Sequence, residues 1–428
     1  MGRVPFPGVS PAYGRTMRHD DPRLPTSPGF WHSPLRGTWF TSVLGLVLLA
    51  GITVLFVTGL LSYAAYNPDL AAVNDQTPDK GILGFYLFAW PTNPSWLYRA
   101  TQGLHVTLGI ALIPVLLAKL WSVVPKLFTL PPARSLAHAL ERISLLLLVG
   151  GGLFEFTTGV LNVQLDYVFP GSFYPLHFYG AWVFFAAFLA HAALKTPAAL
   201  RAVRERRQDE AELESPRPDA PTVSRRGALW FVSGASLLLL ATTAGQSIGG
   251  ALRRTALLAP HGGADPGSGP NGFQINKTAA YAGVDPKETG EEAWRLVVTG
   301  RDGRTVRLSR PELLRLPQHS AALPIACVEG WSTADQWWRG VRLRDLAALV
   351  GYDGDPPDVL VESLQRHGAF RRGALRANQV ADPRSLLALQ VNGEDLSPDH
   401  GYPARVIVSA APGVLNTKWV ARMTFGDL

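Results

Sequence analysis

Apolar residues are unevenly spread along the chain. Five stretches, 39–63, 104–124, 143–161, 174–194 and 229–247, are almost free of charge. Each is about the 20 residues that a bilayer-crossing helix needs. The first 38 residues are polar and rich in proline, with no apolar core of the kind a cleavable leader requires. After residue 272 the long apolar runs give way to short alternating ones. Strands are expected at 294–298, 305–308, 358–364, 386–391, 404–409 and 419–425, around a turn at 301–304. Ser309 followed by Glu312 makes a capping box for a short helix. Residues 341–350 read as an amphipathic helix. The pattern predicts a multidomain chain: an all-α transmembrane four-helix bundle, a fifth helix serving as signal anchor, and a mixed α/β domain. The expected boundaries are a cytoplasmic arm 1–38, a membrane domain 39–196, a linker 197–228, the fifth helix 229–248, a tether 249–272 and the α/β domain 273–428. That last domain, of about 155 residues, is large enough for a core of its own.

Composition agrees with a chain that is half membrane and half soluble. Of 428 residues, 17% are charged, and the mean hydropathy is +0.10. A net charge of +7 would suggest nucleic acid if it formed one patch. The basic residues lie instead beside the apolar segments, so no nucleic-acid partner is expected. The arm carries Arg3, Arg15, Arg18, Arg23 and Arg36. Lys126 and Arg134 lie between spans two and three. Lys195, Arg201, Arg204, Arg206, Arg207, Arg217, Arg225 and Arg226 precede span five. The loop after span one holds only Lys80, and that after span three has no basic residue. Positive loops stay inside, which predicts a multi-pass protein of the cell membrane with a cytoplasmic N-terminus and an extracytoplasmic α/β domain. Trp90, Trp96, Tyr98, Tyr167 and Tyr174 would form the outer aromatic belt.

Ionisable residues inside lipid are costly and mark function. Span four holds His177 and His191, fourteen apart, on nearly one face and about 21 Å apart along the axis. Span two holds His105, at the depth of His177. Two imidazoles at one depth suit the axial positions of a haem b. Span one has Gly45 and Gly59, and span three has Gly150, Gly151, Gly152 and Gly159. Such residues admit a porphyrin edge, or simply let helices pack closely. This layout, over about residues 38–196, resembles the four-helix dihaem cytochrome b architecture. It departs at Lys119, where the resemblance leads one to expect a second histidine. His191 then lacks that second histidine. His138, His32 or Lys119 itself is the substitute, or Lys119 snorkels to the interface and only one haem is bound. Glu155 in span three is a candidate for proton exchange at a quinone site, or a hydrogen-bonded carboxyl beside the haem.

Arg225-Arg226 directly precede span five. They read as a twin-arginine export signal or as ordinary inner-side charges. The chain has one cysteine, Cys327, so its thiol acts alone and suits a soft metal with further ligands from elsewhere. Cys327-Val328-Glu329-Gly330-Trp331-Ser332 resembles the metal loop of the sulfite-oxidase-like molybdopterin oxidoreductases. Three further regions are similar: Phe273 to Ala279 with Asn276, Val361-Glu362-Ser363, and the pair His400 to Arg405 and Gly413 to Trp419. The resemblance implies that Cys327 binds molybdenum as the catalytic centre. It implies that Asn276, Ala279, Ser363, His400, Arg405, Asn416, Thr417 and Lys418 hold molybdopterin, Arg405 and Lys418 facing its phosphate. The chain is also similar to the bacterial periplasmic methionine-sulfoxide reductases, whose electrons come from a separate haem membrane protein. The implied activity is oxygen-atom transfer to or from a small oxyanion, sulfoxide or N-oxide, with electrons exchanged through haem and a quinone pool. Sulfite oxidation is the alternative direction. A metal-free, non-catalytic domain, or a bundle that serves only as anchor, are the other readings. Arg366, His367, Arg371, Arg372 and Arg376 form a basic run that would attract an oxyanion or be solvated.

Overall fold

The computed structural model describes residues 23–81, 88–128, 135–163, 173–206, 219–259 and 267–428. Tyr167, Arg134, Arg207, Arg217, Arg3, Arg15 and Arg18 lie outside these, as does the His138 side chain. Among the described residues, five helices are long and apolar enough to cross a membrane. They are α1 (Thr38–Ala65), α2 (Leu97–Val123), α3 (Leu136–Asn162), α4 (Phe173–Arg204) and α5 (Arg225–Thr243). A one-turn α6 (Gly245–Ile248) follows. Apolar residues surround most of these helices, as expected where lipid and not water is the solvent. Three helices outrun the apolar pattern by seven residues or more. α2 begins seven residues before the expected 104, α3 seven before 143, and α4 runs ten beyond 194. These extensions carry polar or charged residues, so hydropathy alone does not register them.

Contacts divide the chain into two compact units. One comprises Met1–Ile52, Leu112–Leu153 and Trp182–Ser236; the other comprises Thr53–Ala111, Phe154–Ala181 and Leu237–Leu428. In the first, the Arg36 guanidinium lies over the Trp121 ring at 4.3 Å and its Nε donates to the Trp121 carbonyl. Arg225 donates to the Pro34 carbonyl at 2.9 Å.

The second unit joins one end of α1–α4 to the α/β domain. Its strands are β1 (Leu296–Thr299), β2 (Thr305–Leu308), β3 (His319–Leu323), β4 (Gln336–Arg342), β5 (Val359–Ser363), β6 (Arg372–Leu375), β7 (Leu386–Val391), β8 (Glu394–Asp395), β9 (Arg405–Ile407) and β10 (Val420–Phe425). Short helices α7 (Pro286–Thr289), α8 (Arg310–Arg315), α9 (Leu343–Leu349) and α10 (Ala377–Ala381) intervene. One sheet has the order β2-β1-β10-β5-β6, mixed because β1 and β10 run parallel. The other has β3-β4-β7-β8, with β9 on β7. Ser309 caps α8 through the expected box with Glu312. The larger core gathers Leu296, Val298, Leu343, Val359, Val361, Val420 and Met423, all fully buried. Each such side chain contributes about 1.5–3 kcal/mol. The smaller core packs Trp338, Phe273, Trp331 and Leu386 around Cys327. β3, β4 and β6 were not expected from the pattern, and the helix expected from 341 begins at Leu343 because 341–342 complete β4.

Candidate functional site

Cys327 closes a tight loop. Its N–H donates to the Trp331 carbonyl at 2.9 Å, and the Gly330 N–H returns to the Cys327 carbonyl at 3.1 Å. The thiol is 2% exposed. Burial, then the Glu329 charge, holds its pKa well above the usual thiol range. Coordination to a cation would reverse that order, because a ligating thiol is deprotonated. Asn276 Nδ2 donates to Cys327 Sγ at 3.5 Å, so two of the expected residues meet.

Cationic groups gather around the segments 397–405 and 416–418. Arg405 is 3% exposed and donates to the carbonyls of His400 (3.0 Å) and Asn416 (3.2 Å). Its Nε is buried with no partner, as is Thr417 Oγ1. Lys418 Nζ donates to the carbonyls of Lys277 (2.5 Å) and Asp399 (3.0 Å). Among the described residues neither Arg405 nor Lys418 forms an ion pair. Burial, then the Arg405 charge, pulls the Lys418 pKa down to about 7. Burial likewise holds Arg405 below its usual range. His400 is pushed down to about 4 by burial and by Arg405. It stacks on Phe273 at 3.8 Å and its Nε2 lies 2.8 Å from the Asn271 carbonyl. Uncompensated buried positive charge costs several kcal/mol unless an anion neutralises it. One thiol, the buried cationic side chains of Arg405 and Lys418, and two unpartnered polar atoms fit an anionic ligand.

The remaining expected residues have clear local partners. Ser363 Oγ donates to the Lys418 carbonyl at 2.7 Å, fastening β5 to the C-terminal segment. Asn416 Oδ1 accepts from Val408 N at 2.8 Å. The Ala279 N–H donates to Asp399 Oδ1 at 2.8 Å. The basic run is largely engaged. Arg371 and Arg372 face Asp75, Arg376 pairs with Asp69, and Arg366 with Glu288. These pairs leave little of it to attract an oxyanion.

His105 and His177 meet in the same compact unit, ring centroids 6.2 Å apart and planes at 87°. The Leu55 carbonyl lies 3.0 Å from His105 Nδ1. A carbonyl only accepts, so Nδ1 carries the proton and Nε2 keeps its lone pair. Thr58 Oγ1 also lies 3.0 Å from this Nδ1, its own proton going to Val54 O. The second pair repeats the arrangement. Thr158 Oγ1 gives its proton to Phe154 O and lies 3.0 Å from His177 Nδ1. Glu155 Oε2 adds a contact at 3.2 Å. Each threonine precedes a glycine beside the imidazole: a methyl placed on Gly59 would lie 3.2 Å from His105 Cε1, and one on Gly159 would lie 3.4 Å from His177 Cε1. Imidazole nitrogens about 2 Å from one metal, with ring centres about 1 Å beyond, put the centroids roughly 6 Å apart. Among the described residues no group of three or more His, Cys, Asp or Glu could hold a metal ion. The histidine pair, with its flanking glycines, leaves any further ligands of a shared metal to come from outside these side chains.

In the other unit, Lys119 stands to Gly45 as His105 stands to Gly59, its Nζ 3.2 Å from where a Gly45 methyl would be. That ammonium donates to the Thr41 carbonyl at 2.7 Å. His191 is half-buried on α4.

Sequence reasoning missed Thr58, Thr158 and Gln102. The repeated Thr-Gly pairs, with the glycines already noted, were a usable signal. It also missed a buried aromatic group in which Tyr66 contacts Tyr98, Tyr174 and Phe370, at 6.5, 5.1 and 5.8 Å between ring centroids. Ala326, next to Cys327, packs in the same cluster.

Residues 282–427 match the family model of the oxidoreductase molybdopterin binding domain. An uncharacterized oxidoreductase YuiH of Bacillus subtilis is 30% identical over 132 residues, covering 31% of this chain and 65% of that protein. Mitochondrial sulfite oxidase of Rattus norvegicus is 28% identical over 158 residues, 31% of this chain and 29% of the enzyme. An NAD(P)H nitrate reductase of Hordeum vulgare is 40% identical over 94 residues, 20% of this chain and 10% of the enzyme. The chain thus spans about two thirds or less of the length of these relatives. The family model falls on the α/β part, so the C-terminal third of this chain carries a molybdopterin-binding domain similar to that of sulfite oxidases and nitrate reductases.

Proposed function

We propose that the chain is a membrane-anchored molybdoenzyme that transfers an oxygen atom to or from a small substrate outside the cytoplasm. It exchanges electrons with a b-type haem in the helical bundle and, through it, with a membrane quinone. Molybdenum with its pterin dithiolene supplies two-electron oxygen-atom transfer when bound. Cys327 is the protein ligand to the metal, oriented by Asn276. Arg405 and Lys418 bind the pterin phosphate; His400, Asn416 and Thr417 line the pterin, with Ala279 and Ser363 holding the segments that enclose it. His105 and His177 would hold the haem, each with Nδ1 engaged by protein partners and Nε2 left free for a metal. Reduction of a sulfoxide or N-oxide to sulfide or amine and water takes two electrons and two protons, which a quinol releases on becoming a quinone.

The observation that carries this reading is the histidine pair, 6.2 Å apart with both Nδ1 atoms tethered, in the compact unit that also holds Cys327. One haem is favoured, because the ammonium of Lys119 is engaged by the Thr41 carbonyl. His191 would serve a second haem only with another partner. Sulfite oxidation is the second reading. It is favoured by the similarity to sulfite oxidases and runs the electrons the opposite way. The positive loops support a cytoplasmic N-terminus, and Arg225-Arg226 would serve export of the folded domain. Metal analysis and a reduced-minus-oxidised spectrum test the assignment. One molybdenum and one haem per chain are expected; a chain with neither refutes it. Arg225→Lys with Arg226→Lys should leave the α/β domain inside, and normal protease accessibility from outside would exclude the export role.

A further inference from the structure

The cysteine loop is held from outside its own domain core, by helices. Gln102 lies three residues before His105 on α2, on one helix face with it, and is 7% exposed. Its Nε2 donates to the Val328 carbonyl at 2.5 Å. Gln246 on α6 donates to the next carbonyl, Glu329, at 3.3 Å. Ser247 donates to the third, Gly330, at 2.5 Å. Ser332 answers with Oγ to the Ser247 carbonyl at 2.8 Å. Three successive carbonyls after the cysteine are thus satisfied by helix side chains. Val106, beside His105, packs on Gly330: a methyl there would lie 2.8 Å from Val106 Cβ, and the Gly330 φ of +85° already disfavours any side chain. Pulling the loop away would leave these buried polar groups unpaired.

Resting on the function proposed above, we infer that Gln102 is a positioning residue that couples the two cofactors. It fixes the cysteine loop to the histidine helix through one hydrogen bond, so that electrons cross a permanent contact without domain movement. Each oxygen atom exchanged moves two electrons at molybdenum. A haem held by His105 and His177 would carry one electron at a time, so a turnover would need two passages, balanced by a quinol or quinone.

The test uses the purified enzyme and the Gln102→Met variant, which keeps volume and removes the donor. Haem content, molybdenum content and turnover with a soluble viologen that feeds molybdenum directly are expected to match the unaltered enzyme. Haem oxidation or reduction is followed by stopped flow with whichever of dimethyl sulfoxide, trimethylamine N-oxide or sulfite moves the haem band. It is expected to slow at least severalfold in the variant. Amide exchange across the cysteine loop is expected to rise. In the unaltered enzyme the same rate is expected to be independent of solvent viscosity. Unchanged haem kinetics in Gln102→Met, or a rate in the unaltered enzyme that falls with viscosity, overturns the inference. Absence of any haem band overturns instead the reading on which it rests.

Discussion

Replacing Lys418 by methionine separates what the folded chain tolerates from what the cofactor requires. In the cofactor-free protein the Lys418 ammonium is enclosed by carbonyls of Lys277 and Asp399 and lies near Arg405, with no ion pair. Its pKa falls from 10.5 to about 7 on folding. Between those values the unfolded chain binds the proton and the folded one does not. Stability contributed by this group therefore rises with pH from about 7 upward and levels off above the unfolded pKa. The slope is about 1.4 kcal/mol per pH unit at most, hence about 2 kcal/mol between pH 7.5 and 9, less what solvent screening removes at a half-buried site. An anionic phosphate beside the ammonium keeps it charged, and the slope disappears. The assay is thermal unfolding followed by tryptophan fluorescence, with Trp419 4.4 Å from the ammonium as a local reporter. Protein from a host unable to make molybdopterin is compared with loaded enzyme. The cofactor-free protein should gain stability from pH 7.5 to 9, and Lys418→Met should abolish that gain and stabilise it at pH 7. Loaded enzyme should show no such gain and should lose cofactor on the same substitution. A cofactor-free protein with no pH dependence, destabilised by Lys418→Met as much as loaded enzyme, would refute the reasoning.

Three further outcomes follow from the geometry. His105→Ala or His177→Ala should remove the haem band, whereas Lys119→Met should leave it intact; a spectrum that loses intensity in Lys119→Met would restore a second haem. Thr158→Val should loosen haem about 10- to 100-fold, the usual effect of losing a partner that orients a metal ligand, measured by haem transfer to an apoglobin. Asn67→Ala removes donors to the Ala374 carbonyl and Gln379 Oε1, at 3.0 and 2.8 Å, and should cost about 1–3 kcal/mol in unfolding experiments because those acceptors are buried.

The sequence made the architecture readable where one physical signal dominates. Long apolar runs gave all five membrane-length helices, and the Ser309–Glu312 box gave the start of α8. The strands β7 and β2 fell where alternation placed them. β6 was hidden because it begins in the basic run. The Arg372 side chain points to Asp75, nearly 300 residues away in sequence, and no local pattern encodes such a partner. β4 was hidden by Gln336, Arg339 and Arg342. The polar start of α2, with Arg99 and Gln102, fell outside the apolar pattern because these side chains serve tertiary contacts with residues 247 and 328. At the site, residue types were legible and their partners were not. Cys327 and the two histidines stand out in the sequence by their rarity or their cost in lipid. Gln102, one more polar residue in an apolar helix, gains meaning only from the carbonyl it meets.

The central claim, that molybdenum on Cys327 and haem on His105 and His177 exchange electrons, is tested most directly by watching the haem while substrate meets the other centre. Reduced enzyme, or oxidised enzyme in the case of sulfite, is offered sulfoxides, N-oxides and sulfite in turn. The account predicts that one of them converts the haem band, and that Cys327→Ser abolishes the response while leaving the haem itself in place. A haem band that ignores every substrate in an enzyme turning over with a viologen, or one that responds equally in Cys327→Ser, would contradict it.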